Sequence, residues 1–379
     1  MFKNSKKGVN TMIKKILVIN PGSTSTKLAV FENDKELWKQ NISHSSKEIE
    51  KFPKIIDQLE WREKIVKDKL KENDFSLENF TAVVARGGML DPIPGGTYKI
   101  DETMIKDLKN GKNGSHASNL AAIIAYNLAQ EFDLNAYTLD PVGVDEFEAV
   151  ARLSGLPEIP RKCQSHALNL KAVARLSADS IGSKMKEINQ IGVHLGGGIS
   201  IAAMKKGKIV DVNNANQGGP YSPERVGTLP VLDLVEYIFK NNPDKDKFKK
   251  KMLGSGGLAA YLDTNDGREI EKRIENGDKE AKLVYDGMIY QIAKEIGSMS
   301  AVLEGDVDLI FITGGLANSD YIVNKLKEKV DFITDLRIYP GAEEMNHLVK
   351  GALRALNGEE EVLDYDTQRN KMKDKINVL

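Results

Sequence analysis

A strand, a glycine-bearing turn and two further strands occur in that order twice along this chain, first over Ile16–Ile42 and again over Ile191–Val212. The turn between the first two strands reads Asn20-Pro-Gly-Ser-Thr-Ser-Thr-Lys27 in one copy and His194-Leu-Gly-Gly-Gly-Ile-Ser200 in the other. Such a recurrence suggests duplication of one fold. A third turn of the same kind, Thr313-Gly-Gly-Leu-Ala-Asn318, follows the apolar run Leu309–Ile312. Glycine lets the backbone approach a ligand closely, and a turn aligns consecutive N–H donors, so each loop suits an anion. Three of them point to a nucleotide gripped from several sides.

A chain of 379 residues is too long for one ordinary core, so two domains and an intervening cleft are expected. The 54 Lys+Arg are interspersed with 55 Asp+Glu for a net charge of -1, which argues against a nucleic-acid surface and for a small-molecule partner. The single cysteine, Cys163, excludes a disulfide framework and a cysteine zinc site, and fits a cytoplasmic location. No apolar run reaches membrane-spanning length. Residues 1–11 are polar and lysine-bearing, and are expected to be a flexible extension.

Further strands are expected at Thr81–Val84, Ala136–Leu139 and Val307–Ile312. Helices are expected at Lys47–Lys71 with solvated outer faces, Ala117–Gln130, Asp145–Leu153, Leu168–Ser180, Asp278–Leu303 and Met345–Leu356. Asp91-Pro-Ile-Pro-Gly-Gly96 reads as a surface loop. The charged tail 359–379 is expected to fray.

The three phosphate-type loops resemble those of the acetokinase family, in the acetate and sugar kinase, chaperone and actin superfamily. The resemblance spans about Met12 to Gly358. It tightens to the butyrate and branched-chain fatty acid kinases through Ala85-Arg-Gly-Gly88, Pro92-Ile-Pro-Gly-Gly96, His116-Ala-Ser-Asn119, Asp140-Pro-Val-Gly-Val-Asp-Glu146, His166-Ala-Leu-Asn169, Asp211-Val-Asn-Asn214 and Ser222-Pro-Glu-Arg-Val-Gly-Thr-Leu-Pro230. It implies an α/β fold of two ribonuclease-H-like domains with an interdomain cleft. The first would span 12–139 and be completed by a C-terminal helix over 345–357, and the nucleotide-binding domain would span 140–344. The implied reaction is reversible, in-line transfer from ATP to a short-chain carboxylate, giving an acyl phosphate and ADP. The implied assembly is a homo-oligomer.

Moving a γ-phosphoryl group onto a carboxylate needs little covalent help, since the obstacle is repulsion between anions and charge spread over the transferring group. The resemblance places Asn20, Arg86, His166 and Arg225 in the catalytic set, with the two arginines as a clamp on planar oxygens. Ser23, Ser25, Lys27, His194, Gly196, Gly197, Gly198, Gly314, Gly315 and Asn318 take nucleotide-binding positions. Asp140 and Glu343 match the acidic pair that holds Mg2+ with ATP, and Glu344 stands next to Glu343 as the alternative. Ser115, His116 and Ser165 fall at the acyl pocket. Acetate kinases usually carry leucine before the first of its histidines and phenylalanine before the second, so the serines leave room for further methylenes, each worth roughly 0.8 kcal/mol on burial. His44 and His347 match no motif, and Cys163 reads as packing. The competing readings are an acetate or propionate kinase, and an actin-like module or sugar-kinase-derived regulator. A regulator would need a DNA-binding segment, and no basic helical stretch precedes Ile16.

Overall fold

The computed structural model describes residues 13–341 and 344–376. The expected extension at 1–11 and the candidate ligand Glu343 lie outside these residues. The strands are β1 (Lys15–Pro21), β2 (Ser25–Glu32), β3 (Lys35–Ser43), β4 (Ala82–Arg86), β5 (Thr97–Lys99), β6 (Asn135–Leu139), β7 (Asn189–Leu195), β8 (Ile199–Lys205), β9 (Lys208–Val212), β10 (Leu309–Gly314) and β11 (Leu336–Pro340). They form two sheets, ordered β3-β2-β1-β4-β6-β5 and β11-β10-β7-β8-β9. Taken from its other edge, the second sheet repeats the first strand for strand up to β6. In each, three strands meander antiparallel and the next two join parallel. The duplication suggested by the loops is therefore present in the topology.

Two compact units divide the chain. One takes in residues up to Leu90, then Gly96–Leu139 and Met345–Thr367; the other takes in Asp91–Gly95, Asp140–Glu344 and residues from Gln368 on. In the first unit, Ile16–Ile19 and Ala82–Ala85 are fully buried. Central strands covered on both faces need such unbroken apolar runs. The alanine-rich helix Ser118–Phe132 lies against β4, with Ala121, Ala122 and Ala125 buried. The core of the second unit joins β7, β8 and β10 to the long helix Lys279–Val302, through Ile289, Ile292 and Ile296. Asp278 caps that helix by accepting from Ala281 N.

Four expectations change. The amphipathic run Lys47–Lys71 is broken near Pro53 into short turns followed by the helix Leu59–Glu72. Asp145–Leu153 holds only a 3₁₀ turn, because the Asp145 carboxylate instead accepts from Phe147 N and pairs with Arg152 at 2.7 Å through both oxygens. Asp91 and Ile93 are buried, not surface, and Ile93 bridges to Val144. The tail carries a helix, Tyr365–Ile376. Tyr365 is fully buried and donates to Asp107 Oδ2 at 3.0 Å, which anchors the start of a segment that charge alone would leave solvated.

Candidate functional site

In the first unit the candidate residues gather at the C-terminal ends of β1 and β4. Asn20 is 4% exposed at the end of β1, and register sets Lys27 opposite it on β2. Ile19 pairs with Ala85, so Asn20 and Arg86 lie at one edge of the sheet. Ser23 is exposed and Ser25 half-buried in the intervening loop. His116 precedes the helix Ser118–Phe132. Its Nδ1 accepts from Ser118 N at 3.1 Å, so the neutral ring carries its proton on Nε2. The surrounding protein and the Arg86 guanidinium hold its pKa below the ordinary histidine value, although the residue is exposed. Ser115 beside it is exposed.

In the second unit the loops sit at the ends of the parallel strands β7 and β10, the edge where open α/β sheets hold ligands. His194 ends β7 and stacks on His166 with ring centroids 4.0 Å apart. Its Nδ1 lies 2.6 Å from Asn169 Oδ1, and His166 Nδ1 lies 2.9 Å from Ser200 Oγ. Each imidazole is thus fixed by a neighbour from another element. Arg225 lies against the glycine loop: a Cβ at Gly198 would stand 2.2 Å from its Nη1. The guanidinium donates to Ala215 O at 3.0 Å, while its Nε is buried with no hydrogen-bond partner among the described residues. Burial lowers its pKa, yet an arginine starts so far above neutrality that it stays charged. Ser222 Oγ joins this segment to the loop by donating to Gly197 O at 2.6 Å.

Gly314 ends β10 at φ +93°, and a Cβ there would stand 2.2 Å from Leu195 O, so the two glycine turns are packed side by side. A Cβ at Gly315 would meet nothing within 4 Å. Asn318 Nδ2 donates to Gly315 O at 3.0 Å and closes that turn. In the first turn Gly197 is exposed and Gly196 half-buried.

Asp140 follows β6, is 1% exposed, and has Arg175 Nη1 3.9 Å from its Oδ2. Arg175 belongs to the helix Ala167–Asp179 that His166 begins. Lys171 of the same helix forms a buried pair with Glu146 at 2.8 Å, and Glu146 also accepts from Gly95 N and Ile209 N. The pair of acidic residues at 145–146 is therefore structural. Ser165 Oγ is buried without a hydrogen-bond partner among the described residues. Cys163 donates to Val144 O at 3.3 Å, and burial with the Asp145 and Glu146 carboxylates pushes its thiol well up, which agrees with a packing role.

Missed in the sequence are Ser200 and Asn169 as partners of the histidines, and Arg62. Arg62 is fully buried beneath the Ser23–Ser25 loop, although it lies in a stretch expected to present solvated charges. The available signal was its spacing, since Arg62, Val66 and Leu70 form one buried stripe.

Residues 159–340 match the acetokinase family. The chain is 51% identical over 346 residues to the probable butyrate kinase 2 of Caldanaerobacter subterraneus subsp. tengcongensis, covering 91% of this chain and 98% of that protein. It is 49% identical over 352 residues to butyrate kinase 2 of Clostridium acetobutylicum, covering 93% and 99%. The crystal structure of Porphyromonas gingivalis acetate kinase superposes with a TM-score of 0.74 at 18% identity, over 91% of this chain and 100% of that one. Acetate kinase from Entamoeba histolytica gives 0.72 at 19% identity, over 89% and 98%. These two likenesses show the fold.

Proposed function

This chain belongs to the acetokinase family and is a carboxylate kinase; from that premise we propose that its acceptor is butyrate or a branched analogue and that transfer from ATP is direct, in-line and reversible. The observation that supports the catalytic reading best is Arg225, a half-buried guanidinium laid on the Gly196–Gly198 turn, its buried Nε–H unmatched among the described residues. Such a donor suits an oxyanion. Arg225 and Arg86 neutralise the charge that spreads over the transferring group, and His166 donates to its oxygens with its ring held by Ser200 and by the stack on His194. Asn20 donates to a γ-phosphate oxygen, while the glycine turns take the rest of the nucleotide.

Mg2+ takes one or two protein carboxylates and completes its shell with phosphate and water. Among the described residues no group of three or more His, Cys, Asp or Glu could hold a metal alone, and the carboxylate of Asp140, buried just after β6, suits that requirement, with Glu343 as its proposed companion. A bound ion would supply positive charge that offsets the negative charge of the phosphates.

A hydroxamate assay over acetate, propionate, butyrate, isobutyrate, isovalerate and valerate tests the acceptor. The highest kcat/KM is expected on a four- or five-carbon acid, and a preference for acetate defeats the assignment. In the same assay Ser115→Leu with Ser165→Phe should lower the butyrate-to-acetate ratio by roughly 10- to 200-fold, the worth of a methylene in a fitted pocket. Equal loss on both acids would mean that His116 and His166 were disturbed instead.

A homo-oligomer also belongs to this reading. Among the described residues, the helix Val231–Asn241 buries no side chain and leaves Val231, Leu232 and Phe239 71%, 80% and 83% exposed, an apolar face suited to a second copy. Leu232→Glu with Phe239→Glu should convert the assembly to monomers in sedimentation velocity; a monomeric parent protein refutes it. No helix of the described residues is long and apolar enough to cross a membrane, and the lone cysteine supports placing the enzyme in the cytoplasm.

A further inference from the structure

We propose that Arg62 is a positioning residue for the phosphate loop, turning the loop's carbonyl oxygens away from the nucleotide and setting a fixed positive charge beneath it. The inference rests on the reading of Asn20–Lys27 as the loop that meets the terminal phosphate. A loop that binds an anion must present N–H and hydroxyl groups and hide its carbonyls, which would repel the ligand.

The chain accounts for three successive carbonyls. Ser23 O accepts from Arg62 Nη2 at 3.2 Å, and Ser25 O accepts from Arg62 Nη1 at 3.1 Å and from Gly22 N at 2.8 Å. Thr24 O, between them, accepts from His44 N at 2.8 Å. Two further donors of the fork are committed, with Nη1 donating to Thr26 Oγ1 at 3.0 Å and Nε to Gln58 Oε1 at 3.0 Å. Thr26 Oγ1 in turn lies 2.8 Å from His44 Nε2. Burial and the adjacent Arg62 lower the pKa of His44, so at neutral pH its ring is uncharged and can accept the threonine proton.

Arg62 itself is fully buried, and burial brings its pKa down to about 10, which leaves it protonated. Every group it touches is neutral, and no carboxylate pairs with it among the described residues. A leucine at this point of the Arg62, Val66, Leu70 stripe would avoid the cost of burying that charge. An anion at the loop above offsets it, and in the low dielectric of the core the attraction is only weakly screened.

The test measures Kd for ATP and for ADP, with magnesium, alongside Tm, for the parent protein, Arg62→Gln, Arg62→Lys and Asn20→Ala. Arg62→Gln should lower the preference for ATP over ADP by roughly tenfold, the order of one charge-assisted contact. Arg62→Lys keeps the charge without the fork and should recover part of it. A purely structural residue would lower Tm and scale both affinities together, so an unchanged ATP/ADP ratio overturns the proposal. Should Arg62→Gln fail to fold, the ratio for Arg62→Lys decides alone. If Asn20→Ala lowers the ratio and the Arg62 variants do not, only the role of Arg62 falls; if Asn20→Ala also leaves it unchanged, the loop reading falls with it.

Discussion

Replacing Arg225 with alanine should lower kcat by about three orders of magnitude or more while leaving the Kd for ATP within a few-fold of its starting value. The charge on the transferring phosphoryl group rises only in the transition state, so a clamp that acts there registers in kcat. The structure gives reason to expect a folded variant. Arg225 N donates to Ser222 Oγ at 3.1 Å, and Ser222 N donates to Arg225 O at 3.0 Å, so the backbone is held without the side chain. Arg225→Lys should recover little, since an ammonium cannot span the path from Ala215 O along Gly198 as the planar fork does. A hydroxamate assay paired with ATP titration separates the two quantities. A near-normal kcat for Arg225→Ala would remove it from the clamp.

The parts of this molecule that could be read in the sequence are those whose physics is local. Ile16–Ile19, Ile191–Val193 and Leu309–Ile312 stand out because strands buried on both faces must be apolar at every position, and each glycine turn is contiguous with its strand. Edges gave weaker signals. β5 is three residues long, and β11 is only half-buried, with Leu336 and Ile338 inward and Arg337 exposed. Half of the helix Tyr365–Ile376 is charged, and it declares itself through Tyr365, whose partner Asp107 is distant in sequence. In the candidate site the same division holds. Asn20 and Arg86 follow from motifs, but Ser200 reaches His166 only through the pairing of β7 with β8, and Arg62 reaches Ser23 and Ser25 only once the helix Leu59–Glu72 is laid beneath the loop. Composition counts Arg62 among the solvated charges; three-dimensional packing removes it from water.

Adjacent glycines in the β10 turn should respond to substitution in opposite ways. Gly314 sits at φ +93°, where a side chain is strained whatever the space, and its Cβ would fall 2.2 Å from Leu195 O and 2.8 Å from Leu195 C. The obstructing atoms are backbone of β7, which is held by β8 and β10 on either side and cannot retreat without breaking a ladder. Gly314→Ala should therefore cost about 3 kcal/mol or more, combining strain with overpacking. In a unit of this size that is a fall in Tm of roughly 6 to 12 °C. Gly315 faces open space, since a Cβ there meets nothing within 4 Å, so Gly315→Val should leave Tm close to the parent value. If the turn takes the nucleotide by close backbone approach, the same valine should weaken ATP and ADP alike by at least tenfold, because it occupies the approach itself. Thermal scans with and without ADP read both effects at once. Gly314→Ala lowers the baseline, and Gly315→Val keeps the baseline but loses the ADP-induced rise. A Gly315→Val protein that still gains stability from ADP as the parent does would take the Thr313–Asn318 turn out of the nucleotide site.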